Sequence, residues 1–107
     1  MNIVVAGSGK VGGEVVQQLS QEGHSVTVVD VNGARVEEMN GQYDVMGIVG
    51  NCATLQVMRD AQVDKADLLI ATTASDEQNL LACLLAKKRG AQHTIARVRD
   101  PQYVGQM

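Results

Sequence analysis

Five short runs of apolar, largely β-branched residues, separated by stretches with helical periodicity, restrict this 107-residue chain to few architectures. The runs Ile3 to Ala6, Val26 to Val29, Val45 to Val49, Leu68 to Thr72 and Thr94 to Val98 read as strands bounded by turn residues. Segments such as "VTVV" and "LLIA" are apolar without alternation, which suits strands buried on both faces of a helix-covered parallel sheet. Parallel neighbours need crossover connections, and the intervening stretches are long enough to supply them as helices. The expectation is an α/β chain: a Rossmann-like, doubly wound parallel sheet forming a single domain over residues 1–107.

Helix ends sharpen this reading. Ser75 to Arg89 is the best delimited: Ser75 and Gln78 fit an S-x-x-Q capping box, and Asp76 and Glu77 occupy the positive end of the dipole. Lys87, Lys88 and Arg89 complement the other end before Gly90, so this basic cluster has a helix-capping explanation. Gly23 and Gly41 read as C-caps of the first and second helices. Asp100 and Pro101 read as the N-cap and first position of a further helix that barely begins, so a crossover helix or C-terminal module is expected to be missing.

Charge and cysteine usage exclude several function classes. With a formal net charge of −3 and no basic block beyond residues 87–89, nothing provides a footprint for a phosphate backbone, and nucleic acid is not an expected partner. Cys52 and Cys83 lack CxxC or Cys/His ligand spacing, which argues against zinc and for a reducing, cytoplasmic setting. No stretch approaches the roughly 18 apolar residues of a membrane span, so direct membrane insertion is not expected.

The chemistry centres on Gly7-Ser8-Gly9-Lys10-Val11-Gly12, a G-x-G-x-x-G segment. Three glycines are a weak signal alone. Here they follow a strand, open a helix, and precede a second strand ending at Asp30, near the spacing of about 20 residues expected for dinucleotide sites. Gly7 would permit the turn, Gly9 the approach of a diphosphate, and Gly12 close packing of helix on strand, with amides at the helix N-terminus meeting the anion. Asp30 would accept hydrogen bonds from two ribose hydroxyls and repel a 2′-phosphate, favouring NAD or adenine mononucleotides.

Ligands of open parallel sheets bind beyond the carboxyl ends of the strands. Lys10, Asn32, Asn51, Thr72, Thr73, Arg97 and Arg99 collect at that edge. Competing structural roles stay open: Asn32, Asn51 and Thr54 as helix caps, Lys10 as a solvated cation, and Arg97 and Arg99, two apart on a strand, as partners of helix carboxylates. Catalytic equipment is not visible. His24, His93 and Tyr43 fall at the amino edge, there is no Y-x-x-x-K pair, and Cys52 near the site has no accompanying histidine.

The chain resembles the N-terminal nucleotide-binding lobe of the regulator-of-potassium-conductance family, also called KTN or TrkA-N domains. The resemblance runs nearly end to end, through "VVAGSGKVGGEVVQQL", "VTVVD", "GNCATLQVMRDAQVDKADLLIATTASDEQN" and "ARVRDPQY". It implies a non-enzymatic cytoplasmic subunit that binds NAD(H) or ATP/ADP. It further implies homo-oligomers, dimers building a ring, beneath a membrane potassium transporter. By the same resemblance the glycine loop (Gly7, Ser8, Gly9, Lys10, Val11, Gly12) holds phosphates and Asp30 holds ribose. Asn51 and Cys52 approach adenine, Thr72 and Thr73 line the pocket, and Arg97 faces it. Many members carry aspartate at the position of Asn51, and members usually continue into a crossover helix and C-terminal lobe. The alternative is the cofactor-binding fragment of an NAD-dependent oxidoreductase.

Overall fold

Each apolar run becomes a strand, and all five strands pair in parallel. The computed structural model describes residues 1–104. In chain order the elements are β1 (Asn2–Ala6), α1 (Lys10–Gln21), β2 (Ser25–Asp30), α2 (Gly33–Gln42), β3 (Met46–Val49), α3 (Leu55–Asp60), a 3₁₀ turn (Val63–Lys65), β4 (Leu68–Ala71), α4 (Asp76–Arg89), β5 (His93–Ala96) and α5 (Pro101–Val104). Residues 105–107, the end of the expected single domain, lie outside the described residues.

The sheet order is β3-β2-β1-β4-β5. The chain therefore winds outward from β1 to β3, then crosses to the other side of β1 for β4 and β5. This Rossmann-like arrangement places a topological switch point between β1 and β4, where carboxyl ends diverge and a crevice opens.

Strand alternation divides the core into two layers. Ile3, Val5, Val26 and Val28 face one side with Val16 of α1 and Met39 of α2. Val4, Ala6, Val29, Leu69 and Ala71 face the other with Met58 of α3 and Ala82, Cys83 and Ala86 of α4. Both faces of β1 are thus dry, which is why its sequence is apolar throughout. The alanines under α4 leave little between helix and sheet, so this helix seats close to β4, and Asn79 becomes completely buried.

Local differences from the sequence reading have identifiable causes. Gly90 does cap α4 at φ 116°, and Gly23 follows α1 at φ 85°. Gly41 instead lies within α2, which runs to Gln42 and closes when the Tyr43 N–H donates to the Met39 carbonyl at 2.9 Å. The capping box of α4 forms by half: Ser75 Oγ accepts from the Gln78 N–H at 3.1 Å, while the Gln78 side chain turns to Asn51 at 2.7 Å. β5 starts at His93 and stops at Ala96, so Arg97 and Arg99 occupy the exit loop rather than a strand face. Asp100 Oδ1 accepts from the Gln102 N–H at 3.0 Å, capping the short α5 that opens with Pro101.

Candidate functional site

The turn after β1 is set by two close approaches. Gly7 adopts φ +100°, and a Cβ there would stand 2.9 Å from the backbone of Thr72 and Thr73. Only glycine accepts both constraints. Its N–H donates to the Val29 carbonyl at 2.7 Å, tying the loop to β2. Gly12 lies beneath it: a Cβ would reach 1.9 Å from the Gly7 carbonyl oxygen and 2.6 Å from Thr72 Oγ1, which itself donates to that carbonyl at 3.0 Å. The glycines thus bring the α1 N-terminus against the carboxyl ends of β1 and β4. Gly9 is the N-cap and provides no side-chain acceptor, so the first N–H groups of α1 keep no side-chain cap.

Asp30 ends β2 with its carboxylate already engaged. Oδ2 accepts from the Ser8 N–H at 2.7 Å and the Ser8 hydroxyl at 2.7 Å, and Oδ1 accepts from the Asn32 N–H at 2.9 Å. Arg35 Nη1 stands 3.9 Å from Oδ2. Burial alone would raise the carboxyl, but the Asn32 and Ser8 hydrogen bonds together with the Arg35 charge outweigh it and hold Asp30 below its ordinary 3.8. A depressed carboxyl contributes stability that is present above the unfolded value and lost as pH falls through the folded one. The stability advantage of the wild type over Asp30→Asn is therefore expected to be full above pH 3.8 and to shrink below it. Paired urea melts down the acid range check this; an advantage constant with pH would refute it.

Behind β4 a single buried amide organises the wall. Asn79 Oδ1 accepts from the Thr73 N–H at 2.9 Å and the Thr73 hydroxyl at 2.6 Å, while Nδ2 donates to the Thr73 carbonyl at 3.1 Å and the Arg97 carbonyl at 2.9 Å. The exits of β4 and β5 are joined through this side chain. Nearby, Asp76 accepts from the N–H groups of Arg99 and Asp100 at 3.0 and 2.8 Å, and its carboxylate lies 3.8 Å from the Arg99 guanidinium. Those two backbone hydrogen bonds hold its carboxyl below the ordinary range.

These elements enclose a cleft of about 480 Å³, within the usual range for small-molecule sites. Every strand exit contributes: Gly7, Gly9, Lys10 and Val11 after β1; Asp30, Val31 and Arg35 around β2; Gly50 and Cys52 after β3; Thr72, Thr73 and Gln78 after β4; Arg97 and Arg99 after β5. In a chain of net charge −3, the lining carries Lys10, Arg35, Arg97 and Arg99 against the carboxylate of Asp30. A concave, cationic surface beside an uncapped helix N-terminus is suited to a phosphorylated ligand.

Of the residues expected at the site, Ser8, Gly12 and Asn51 lie outside the lining. Ser8 is buried behind Asp30, and Gly12 lies under the loop. Asn51 Oδ1 accepts from the Ala53 N–H at 2.8 Å and from Gln78 Nε2 at 2.7 Å, so it orients Gln78. Asn32 caps α2, accepting from the N–H groups of Ala34 and Arg35, and Thr54 caps α3. Arg99 pairs with Asp76, as the structural alternative for it anticipated. Burial pushes the Cys52 thiol up to about 11, which leaves no thiolate near neutral pH. His24 and His93 stand at the amino ends of β2 and β5, opposite the cleft.

Arg35 and Gln78 line the cleft without having been expected there from the sequence, where Gln78 stood only as half of a capping box. The available signal for Arg35 was its place on the first turn of α2, just after Asp30. For Gln78 there was none, because its partner is 27 residues away. Among the described residues, no group of three or more His, Cys, Asp or Glu is placed to hold a metal ion, and no helix is long and apolar enough to cross a membrane.

Comparison with known proteins gives a consistent picture. Residues 3–107 match the TrkA-N domain family. A Trk system potassium uptake protein TrkA homolog of Archaeoglobus fulgidus is 43% identical over 104 residues, which is 97% of this chain and 23% of the relative. The chain thus spans about a quarter of that relative's length. Two solved structures share the fold at a TM-score of 0.84: the Kef CTD of Shewanella denitrificans in AMP-bound form, 23% identical over 99% of this chain and 64% of that one, and the GsuK channel bound to NAD, 22% identical over 98% of this chain and 19% of that one.

Proposed function

The chain belongs to the TrkA-N domain family, and from that premise we propose that it is a regulatory domain of a potassium-uptake system which binds NAD(H) or ATP/ADP without turning it over. The observation that carries this reading is the convergence of the glycine loop, Asp30 and four cations on one cleft at the carboxyl edge of the sheet. Gly9 and the α1 N-terminus receive the phosphates, with Lys10 and Arg97 supplying countercharge. Asp30 holds the ribose, and Val31, Gly50 and Cys52 form the adenine side.

In this reading the domain assembles with copies of itself on the cytoplasmic side of a potassium-translocating membrane protein. A ligand shifts such an assembly only through different affinities for its two states. The segment leaving β5 offers a route for that difference, because it shares the cleft rim. Arg97 and Arg99 line the site, Asp76 anchors the following backbone, and the Tyr103 hydroxyl donates to Glu77 at 2.9 Å. Phosphates drawn to these arginines act on the segment that joins β5 to α5.

Calorimetric titration with NADH, NAD, ATP and ADP tests the proposal. Asp30→Ala is expected to weaken binding by roughly ten- to a hundredfold, the scale of hydrogen bonds to a charged group. A ligand at about 100 times its Kd should also stabilise the chain by roughly 2.7 kcal/mol in melting experiments. Absence of binding by every nucleotide, or equal binding by Asp30→Ala, would sink the reading.

A further inference from the structure

We propose that Arg35 is a second ribose partner, receiving one hydroxyl of the nucleotide while Asp30 takes only the other; this rests on the nucleotide reading above. An ionised carboxylate offers about four acceptor positions. Three are occupied on Asp30: two on Oδ2 by Ser8 and one on Oδ1 by the Asn32 N–H. The Ser8 hydroxyl stays there, because Ser8 is 5% exposed and its hydroxyl has no other bond in the site. A vicinal diol held in the usual two-pronged way needs a free position on each carboxylate oxygen. Asp30 has one left, on Oδ1.

Arg35 stands where the second partner is needed. Its Nη1 lies 3.9 Å from Asp30 Oδ2, beyond hydrogen-bond distance, and 3.5 Å from where a Cβ on Gly9 would stand. The guanidinium thus spans the gap between the glycine loop and the carboxylate, on the cleft lining, and its side chain donates no hydrogen bond among the described residues. A hydroxyl can donate to Oδ1 while its neighbour accepts from the arginine, and the two groups together read the diol with one acceptor and one donor. At 52% side-chain exposure, Arg35 is not needed to hold the core.

The test is a titration of wild type, Arg35→Gln and Asp30→Asn with ADP, 2′-deoxy-ADP and 3′-deoxy-ADP, with melting curves to verify folding. In the wild type each deoxy analogue is expected to bind roughly tenfold more weakly than ADP. In Arg35→Gln the penalty for one analogue should fall to about unity while the other persists, and Asp30→Asn should show the reverse pattern. Both penalties persisting in Arg35→Gln would overturn the proposal and assign the whole diol to Asp30. Both vanishing there would also overturn it, by removing any division between the two residues. Wild type that binds no ADP would instead sink the nucleotide reading, and this assignment with it.

Discussion

Substituting Gly12 by alanine is expected to lower the melting temperature by roughly 10 °C or more, while the same change at Gly13 is expected to leave it unchanged or raise it. Both glycines lie in the first turns of α1, where alanine is intrinsically the better residue by about 1 kcal/mol. Their surroundings differ. At Gly13 the added methyl would meet the Ser8 carbonyl at 3.6 Å and Met39 Cε at 3.8 Å, ordinary contacts that leave the propensity gain intact. At Gly12 it would meet the Gly7 carbonyl oxygen at 1.9 Å and Thr72 Oγ1 at 2.6 Å. Neither neighbour can yield easily, because Gly7 is pinned by its positive φ and by its hydrogen bond to Val29. The helix must lift off the loop, costing about 3 kcal/mol, at the upper end of overpacking penalties. Thermal melts of the two variants decide the matter; a Gly12→Ala chain melting within about 2 °C of wild type would refute the close-packing account.

That contrast also marks how far the sequence could be read. The inner strands β1, β2 and β4 were legible because burial between two helix layers demands runs of Val, Ile, Leu and Ala, whereas the edge strands β3 and β5, with Met46, Val49 and Ile95 exposed, showed only as short apolar runs between turns. Gly7 and Gly12 were legible because a turn and a close approach leave no other residue. Asn32 and Asp100 announced their caps for a similar local reason: the donors they satisfy lie two or three residues ahead.

What escaped depends on partners that the topology brings together. Gln78 has a local role on offer as the return half of a capping box, yet its amide joins Asn51 from another crossover. Arg35 looks like an ordinary exposed helix residue until α2 places it beside Asp30 and over Gly9. Gly41, which reads as a stop, is tolerated inside α2 because the last turn still closes on Met39. The family resemblance supplied the outline of the cleft, but it gave no hint of how Asp30's acceptors are shared out.

Asn79 is the sharpest case, and Asn79→Asp is expected to be among the most damaging conservative changes in the chain, by about 3 to 5 kcal/mol near neutral pH. The side chain is 0% exposed and makes four hydrogen bonds, two accepted and two donated. Aspartate keeps the shape and the accepting oxygen. It replaces the amide that donates to the Thr73 and Arg97 carbonyls with a second acceptor, so two carbonyls lose their donor and face a carboxylate in a dry site. The variant is therefore driven to bind a proton when folded, which raises its folded pKa above the unfolded value of about 3.9. For an acid with a raised folded pKa, the penalty is smallest below the unfolded value and grows as pH climbs toward the folded one. Urea melts at pH 4 and pH 7, each referred to wild type at the same pH, should show the larger loss at pH 7. A loss that is equal at both would mean that the carboxylate reaches water, and that the exits of β4 and β5 are not held by this amide. Because those exits carry Thr72, Thr73 and Arg97 into the cleft, nucleotide affinity is expected to fall with stability in Asn79→Asp. In Arg35→Gln, which unpins no backbone, affinity should change while the melting temperature stays put.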